Sequence, residues 1–336
     1  MFDHSSMESF DLAAEQAIDT VAGDIELATS LSGRPMRVMG RYPKAQKATR
    51  FLRSIGIIKK LKVSHEYLPA DEQANIEIFV AHRRQGTEDV VFGKADRKSA
   101  ETKRFVDHID KCLSKNGRQL SAGGIERLST YIGEVLANAE EHSERGEWLL
   151  AGYLDNSSDG HFCEIAVLSF GKTIAETFRQ LDLSSYPMLQ VEPYILAHSD
   201  RGLFTKSWEP NDLLALVALQ GGISCRNDSN QTTRGQGTID LISFFERMHR
   251  ECQGESGSGC KMAIFSGHTH IMFDGTHVLK KDSGGRDVIA FNKTNSLEDP
   301  PDESHVKHVE NAFPGTAISI RFPLQPGYTT LDQELS

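Results

Sequence analysis

The chain has 336 residues, 38% of them hydrophobic and 25% charged, enough to build two ordinary domains or one large one around a real core. Its 37 basic and 47 acidic side chains leave a net charge of −10, which argues against non-specific nucleic-acid binding. No segment supplies the ~18 consecutive apolar residues of a membrane span, and Met1-Phe2-Asp3-His4 lacks the basic start and apolar run of a secretory signal, so a cytoplasmic protein without a membrane partner is expected.

Residues 8–31 predict a helix, because Phe10, Ala13, Ala17, Ile18, Val21 and Ile25 recur at near-helical spacing. A short strand is expected at Met36 to Met39. Pro43 then opens a helix whose Ala48, Phe51, Leu52 and Ile55 share a face and which Gly56 closes. Strands are expected at Ile76 to Ala81 and Asp89 to Phe92, giving a small α/β unit up to residue 97. Its basic stretches, 34–47, 59–62 and 83–84, read as solvated faces. Beyond a charged boundary at 93–103 come helices over 100–113 and 121–143, then strands at 148–154 and 163–168. A long polar and mixed stretch fills 175–233. It is followed by a Gly-rich turn, a helix over 238–250, and strands near 262–266, 269–273, 287–291 and 316–322. Residues 253–259 and 294–303 are loops by composition. The five cysteines, Cys112, Cys163, Cys225, Cys252 and Cys260, are scattered and odd in number, which fits reduced thiols better than a disulfide framework or a zinc site.

The most informative stretch is Tyr131-Ile132-Gly133-Glu134-Val135-Leu136-Ala137-Asn138-Ala139-Glu140-Glu141-His142. On a helix Glu134, Asn138 and His142 stack on one face, four residues apart, while Ile132, Val135, Leu136 and Ala139 can turn to a core. An amide oxygen suits magnesium, which prefers hard oxygen ligands, and a carboxylate one turn away can polarise a water for attack on a phosphoryl group. The same spacing also describes an amphipathic helix with a solvated polar face. Two further segments follow in order. The strand Ile165 to Leu168 runs into Ser169-Phe170-Gly171-Lys172-Thr173-Ile174, and Arg234-Gly235-Gln236-Gly237-Thr238 opens a helix. A Gly-x-Gly turn at a helix start exposes backbone N–H groups and the positive end of the helix dipole, which favours a phosphate.

In these segments the chain resembles the Bergerat-fold (GHKL) ATPases, which include gyrase, histidine kinases and anti-sigma-factor kinases. Glu134 to His142 is similar to that family's first box, Ser169 to Ile174 to its second, Arg234 to Thr238 to its third, and Pro314 to Pro323 to its Gly-Thr-led last strand. The resemblance implies Glu134 as general base and Asn138 as magnesium ligand. It implies a nucleotide site that includes His142, Ser169, Gly171, Thr173, Arg234, Gly235, Gln236, Gly237, Thr238 and Thr316, with Gly171 and Thr316 at the adenine and Gly235 and Gly237 at the phosphates. ATP and Mg2+ are the implied cofactors. The second-box Asp of the family is Ser169 here, a neutral and shorter acceptor, and charged acceptors make hydrogen bonds roughly twice as strong.

The expected architecture is α/β: a small unit over 1–97, then a Bergerat-type sandwich over 98–328 with helices on one face of a mixed sheet and a long lid insertion at 175–233. The leading function is a nucleotide-dependent switch with slow ATPase activity, in a bacterial stress or phage-defence setting. A protein partner would act through the lid or the N-terminal unit, and a homodimer is compatible with it. Two alternatives stand beside it: a protein kinase of the anti-sigma-factor type, and a nucleotide-sensing scaffold without turnover. Two other motifs carry less. Gly171-Lys172-Thr173 imitates the end of a P-loop but has Ala166 where that motif needs glycine. Ser266-Gly267-His268-Thr269-His270 resembles the Gly-His-Thr-His of metallophosphoesterases, with His277 nearby, but lacks that family's earlier segments; an ordinary strand pair of histidines is the expected reading.

Overall fold

A computed structural model describes residues 2–31, 33, 39–83, 94–117, 119–142, 146–157, 161–199, 208–227, 236–251 and 259–324, except for the side chains of 94–96, 142, 236 and 251. In chain order the elements are β1 (Phe2–Asp3), α1 (Leu12–Leu31), β2 (Gly40–Arg41), α2 (Gln46–Ser54), α3 (Ile57–Lys60), a 3-10 turn (Ser64–Glu66), α4 (Ala70–Gln73), β3 (Ile76–Arg83), α5 (Lys94–Ser114) and α6 (Ala122–His142). They continue with β4 (Trp148–Asp155), β5 (Phe162–Phe170), α7 (Ile174–Arg179), α8 (Tyr186–Ser199), α9 (Pro210–Ala218), α10 (Gln236–Glu251), β6 (Lys261–Phe273), β7 (Lys280–Lys281), β8 (Asp287–Val288) and β9 (Val306–Pro323). The class is α/β, as expected. Its main sheet has five strands in the order β3-β4-β5-β9-β6, every pairing antiparallel, while the two-residue β1 and β2 pair in parallel.

Strands β4 and β5 are apolar almost throughout, the mark of strands buried on both faces. Side chains alternate across a strand. Accordingly Trp148, Leu150, Leu154, Cys163, Ile165 and Val167 enter one core with α5, α6, α9 and α10, while Leu149, Ala151, Tyr153, Phe162, Ala166 and Leu168 enter a second core with Leu12, Ala13, Phe51 and Leu52 of α1 and α2. The helices after residue 98 therefore lie on one face, as expected, and α1 and α2 cover the other. On that second face Phe10 stacks on Phe51 at 4.2 Å, and Phe51 meets Tyr153 edge-on at 5.0 Å.

The expected boundary at residue 97 does not separate two sheets. Strand β3 pairs with β4 along eight residues, Ile76 opposite Asp155 through Arg83 opposite Trp148, and α5 runs across the boundary. Among the described residues β3 pairs only with β4, and Ile76, Phe79 and Ala81 are buried where it extends the main sheet. An ion pair fastens the same junction: Arg50 of α2 donates from Nε and Nη2 to Asp155 Oδ2 at 2.9 and 2.7 Å, at the fully buried end of β4.

The described residues of the segment 175–233, expected as a lid, include helices α7, α8 and α9, and α9 is core. Leu213 to Val217 of α9 are all 2% exposed or less. A helix apolar on every side is a buried helix. The two strands expected at 262–266 and 269–273 are one strand, β6, with register shifts at Ser266/Gly267 and Gly267/Thr269. Strand β9 begins ten residues before the expected 316, at Val306. The strand expected at 36–39 falls, apart from Met39, outside the described residues, and that at 89–92 does so entirely.

Candidate functional site

Helix α6 packs against α5 and α10 through Leu128, Ile132, Val135 and Leu136, and this fixes which stripe it turns outward. Thr130, Glu134, Asn138 and Glu141 form that stripe, at spacings of four, four and three, and they line a cavity of about 510 Å3. The opposite wall comes from the sheet, with Val167 and Ser169 of β5, Thr316 and Ile318 of β9, and Ile264 of β6. Lys172, Ile174, Thr177 and Phe178 close one end, residues 218–219 and 224–226 another, and the first turn of α10, Gly237 to Leu241, faces α6. The volume and the mix of apolar walls with a few converging polar groups are those of a small-molecule site.

Six of the expected site residues thus meet around one cavity: Glu134, Asn138, Ser169, Gly237, Thr238 and Thr316. The approach of α10 to α6 is close. A Cβ on Gly237 would lie 3.2 Å from Glu134 Cβ, 3.4 Å from Glu134 Oε2 and 3.6 Å from Asn138 Nδ2, so glycine lets backbone come against the carboxylate and the amide. On the sheet side the hydroxyls are chained. Ser169 Oγ donates to the Thr316 carbonyl at 3.4 Å, Thr316 Oγ1 and Ser266 Oγ share a hydrogen bond of 2.8 Å, and Ser266 Oγ accepts from Ile174 N at 2.8 Å. The wall next to Ser169 depends on Gly315, whose φ is +142° and whose added Cβ would fall 2.0 Å from the Ser169 carbonyl oxygen.

The remaining expected residues divide. Gly171 lines a second cavity, of about 730 Å3, on the α1 and α3 side of the sheet with Pro314, Asp19, Lys59 and Lys60, and its N–H donates to the Pro314 carbonyl at 3.1 Å. Thr173 caps α7: its hydroxyl accepts from Glu176 N at 3.1 Å while Glu176 Oε2 accepts from Thr173 N at 2.8 Å. Arg234 and Gly235 lie outside the described residues, as do the side chains of Gln236, at the start of α10, and His142, at the end of α6.

Four charged residues of the cavity were not expected there by role: Lys172, Glu141, Arg226 and Asp240. Arg226 pairs with Glu141 through Nη1, and its Nη2 donates to the Glu141 carbonyl at 3.3 Å, joining the 224–227 turn to the end of α6. With Asp240 and Glu134 the lining carries three carboxylates and two cations. Burial pushes the Cys225 thiol of the same wall above its ordinary range. Lys172 and Glu141 lie within the second-box and first-box segments without a role assigned to them there, and nothing local marked Arg226.

Among the described residues His268 and His270 belong to no group of three potential ligand atoms close enough to share a metal ion. His268 Nδ1 bonds the Val309 carbonyl at 2.9 Å and its ring stacks on His308 at 5.0 Å, while His270 is half-buried near Phe265. Among the described residues Cys112, Cys163, Cys225 and Cys260 form no disulfide. Among the described residues no helix is long and apolar enough to cross a membrane. In comparisons with known proteins, no family model, no curated protein and no solved structure gives a significant match to this chain.

Proposed function

We propose that the cavity between α6, the sheet and α10 binds a magnesium–ATP complex and that the protein is a nucleotide-dependent switch of the Bergerat type with slow ATP hydrolysis. The observation that carries this reading is the convergence of Glu134, Asn138, Ser169, Gly237, Thr238 and Thr316, drawn from four separate segments, on one cavity. The donor set fits the ligand. Asn138 offers a neutral hard oxygen of the kind magnesium accepts, and the first turn of α10, brought against α6 at Gly237, faces the cavity with the positive end of a helix, which favours a phosphate. Magnesium supplies neutralisation of phosphate charge, which the lining alone, with three carboxylates against two cations, does not provide. Glu134 holds a carboxylate where it can orient and polarise a water. Ser169 and Thr316 form the polar wall on the sheet side, suited to the base.

The test is phosphate release measured beside binding. Glu134→Ala should hold a fluorescent ATP analogue within about threefold of the wild-type affinity while losing release by about a hundredfold, the size expected for a positioned general base. Release unchanged in Glu134→Ala would place any turnover elsewhere. A second reading, a nucleotide sensor without turnover, is favoured by Ser169, whose hydroxyl is a neutral group already directed at the Thr316 carbonyl. Magnesium-dependent binding with no release by the wild-type protein would select that reading.

A further inference from the structure

We propose that His277, Asp302 and His305 form a binding site for a divalent transition-metal ion of the zinc type, one that clasps together the two ends of the excursion between β6 and β9. The site is separate from the cavity of α6 and rests on none of its residues.

Strand β6 ends at Phe273 and β9 begins at Val306, and the chain between them carries the β7–β8 hairpin. His277 lies just beyond the first end; Asp302 and His305 lie just before the second. Each offers one ligand atom, and the three atoms lie within 4.8 Å of one another. The imidazole rings of His277 and His305 meet edge to face, 4.6 Å apart at 87°. Histidine pairs with a carboxylate are a familiar donor set for zinc and its neighbours, whereas magnesium and calcium take oxygen ligands. This is therefore a different metal chemistry from that proposed at Asn138.

The independent observation is on His277. Its Nε2 is buried and has no hydrogen-bond partner among the described residues, although buried polar atoms are nearly always paired. In the tautomer protonated at Nδ1, an unpartnered Nε2 offers its lone pair to an ion. His305 is held by oxygen partners. Its side chain is 9% exposed, its Nε2 lies 3.2 Å from Asp274 Oδ1, and its Nδ1 lies 2.8 Å from Ser304 Oγ. Whichever nitrogen takes the ion, the other keeps an oriented oxygen partner. Asp302 supplies the charge, and Ser304 N donates to its Oδ1 at 2.8 Å.

Zinc–nitrogen bonds of about 2.0–2.1 Å in a tetrahedron set ligand atoms about 3.3 Å apart, so an ion would draw the three groups together by up to about 1.5 Å. Asp302, exposed on its turn, can make that movement. Three protein ligands leave a fourth position for water. Phe291, fully buried between Phe273 and His277, ties the middle of the excursion to the same point.

The experiment uses the full chain, stripped with chelator and dialysed, and titrates Zn2+ alone against a chromophoric chelator, with Co2+ absorption as a report on coordination. The expected result is one equivalent bound, weakened by about tenfold or more in both His277→Ala and Asp302→Asn, the latter at an exposed position that leaves folding intact. The double variant His268→Ala/His270→Ala should bind as the wild type does, and Zn2+ should slow proteolysis within 274–305. No stoichiometric Zn2+ binding, an unchanged affinity in Asp302→Asn, or a loss that follows His268 and His270 instead would each overturn the proposal. Nucleotide binding by the Zn2+-free protein reports on the α6 cavity independently.

Discussion

At Gly237 a single missing methyl decides how near α10 comes to α6. Alanine favours helix over glycine by up to about 1 kcal/mol, so on propensity alone Gly237→Ala should stabilise the first turn of α10. Its Cβ, however, would press on Glu134 at 3.2 Å and crowd Asn138. The expected outcome is a protein no less stable in thermal unfolding whose affinity for an ATP analogue falls about tenfold, equivalent to about 1.4 kcal/mol. Equal affinity would mean that ligand does not use this corner. The local pattern of α6 and the Gly-x-Gly turn made Glu134, Asn138 and Gly237 legible in the sequence, because periodicity along one helix fixes which residues share a face. Arg226 and Glu141 were not legible: their contact joins segments 85 residues apart and follows from packing alone. Thr173 shows another limit. In sequence a threonine after a strand reads equally as ligand contact or helix cap, and here its hydroxyl is committed to α7.

Among the elements, α2 and β4 depend on each other through Arg50 and Asp155. Asp155 is fully buried and Arg50 is 7% exposed. Removing one partner of such a pair strands a charge, at a cost of about 3–5 kcal/mol, while replacing both with apolar groups can recover much of it. Arg50→Ala should therefore lower the denaturation midpoint sharply, and Arg50→Met with Asp155→Leu should restore most of the loss; a small effect of Arg50→Ala would show that water reaches Asp155. Helices α1, α5, α6 and α10 and strands β4 and β5 could be read from periodicity because each is long or uniformly apolar. The uniform apolar run of α9 was misread within a mixed stretch, since burial on all sides removes the amphipathic signal. Strand β9 was cut short because Pro314-Gly315 resembles a stop. In the fold Gly315 passes closely by Ser169 within one continuous strand, and Gly171 N–H closes on the Pro314 carbonyl.

For the whole molecule, the sheet buries both faces, and its second face traps acids. Asp19 of α1 is pushed up to about 8, chiefly by burial and then by the charge of Glu15, and burial raises Glu164 to about 8 in spite of Arg321. Their unfolded values lie near about 4, so between the two values the folded state binds more protons than the unfolded one. The stability these groups contribute is complete below pH ~4 and is lost as pH rises through about 8. The thermal midpoint should thus fall as pH is raised from about 5 to 8.5, and Asp19→Asn should flatten part of that slope. Parallel profiles for the two proteins would contradict the assignment to Asp19. Pairing of β3 with β4, which makes the N-terminal segment part of the same sheet, was beyond sequence reading because strand partners some seventy residues apart leave no local pattern.

The central claim, a magnesium-dependent nucleotide site on α6, is tested most directly by titration calorimetry of the pure protein with a non-hydrolysable ATP analogue, with and without Mg2+, beside Asn138→Ala. One site that requires Mg2+ and is lost in Asn138→Ala is expected, with the variant's thermal unfolding unchanged. Binding by Asn138→Ala equal to that of the wild-type protein, or no binding by the wild type at millimolar analogue with Mg2+, would contradict it.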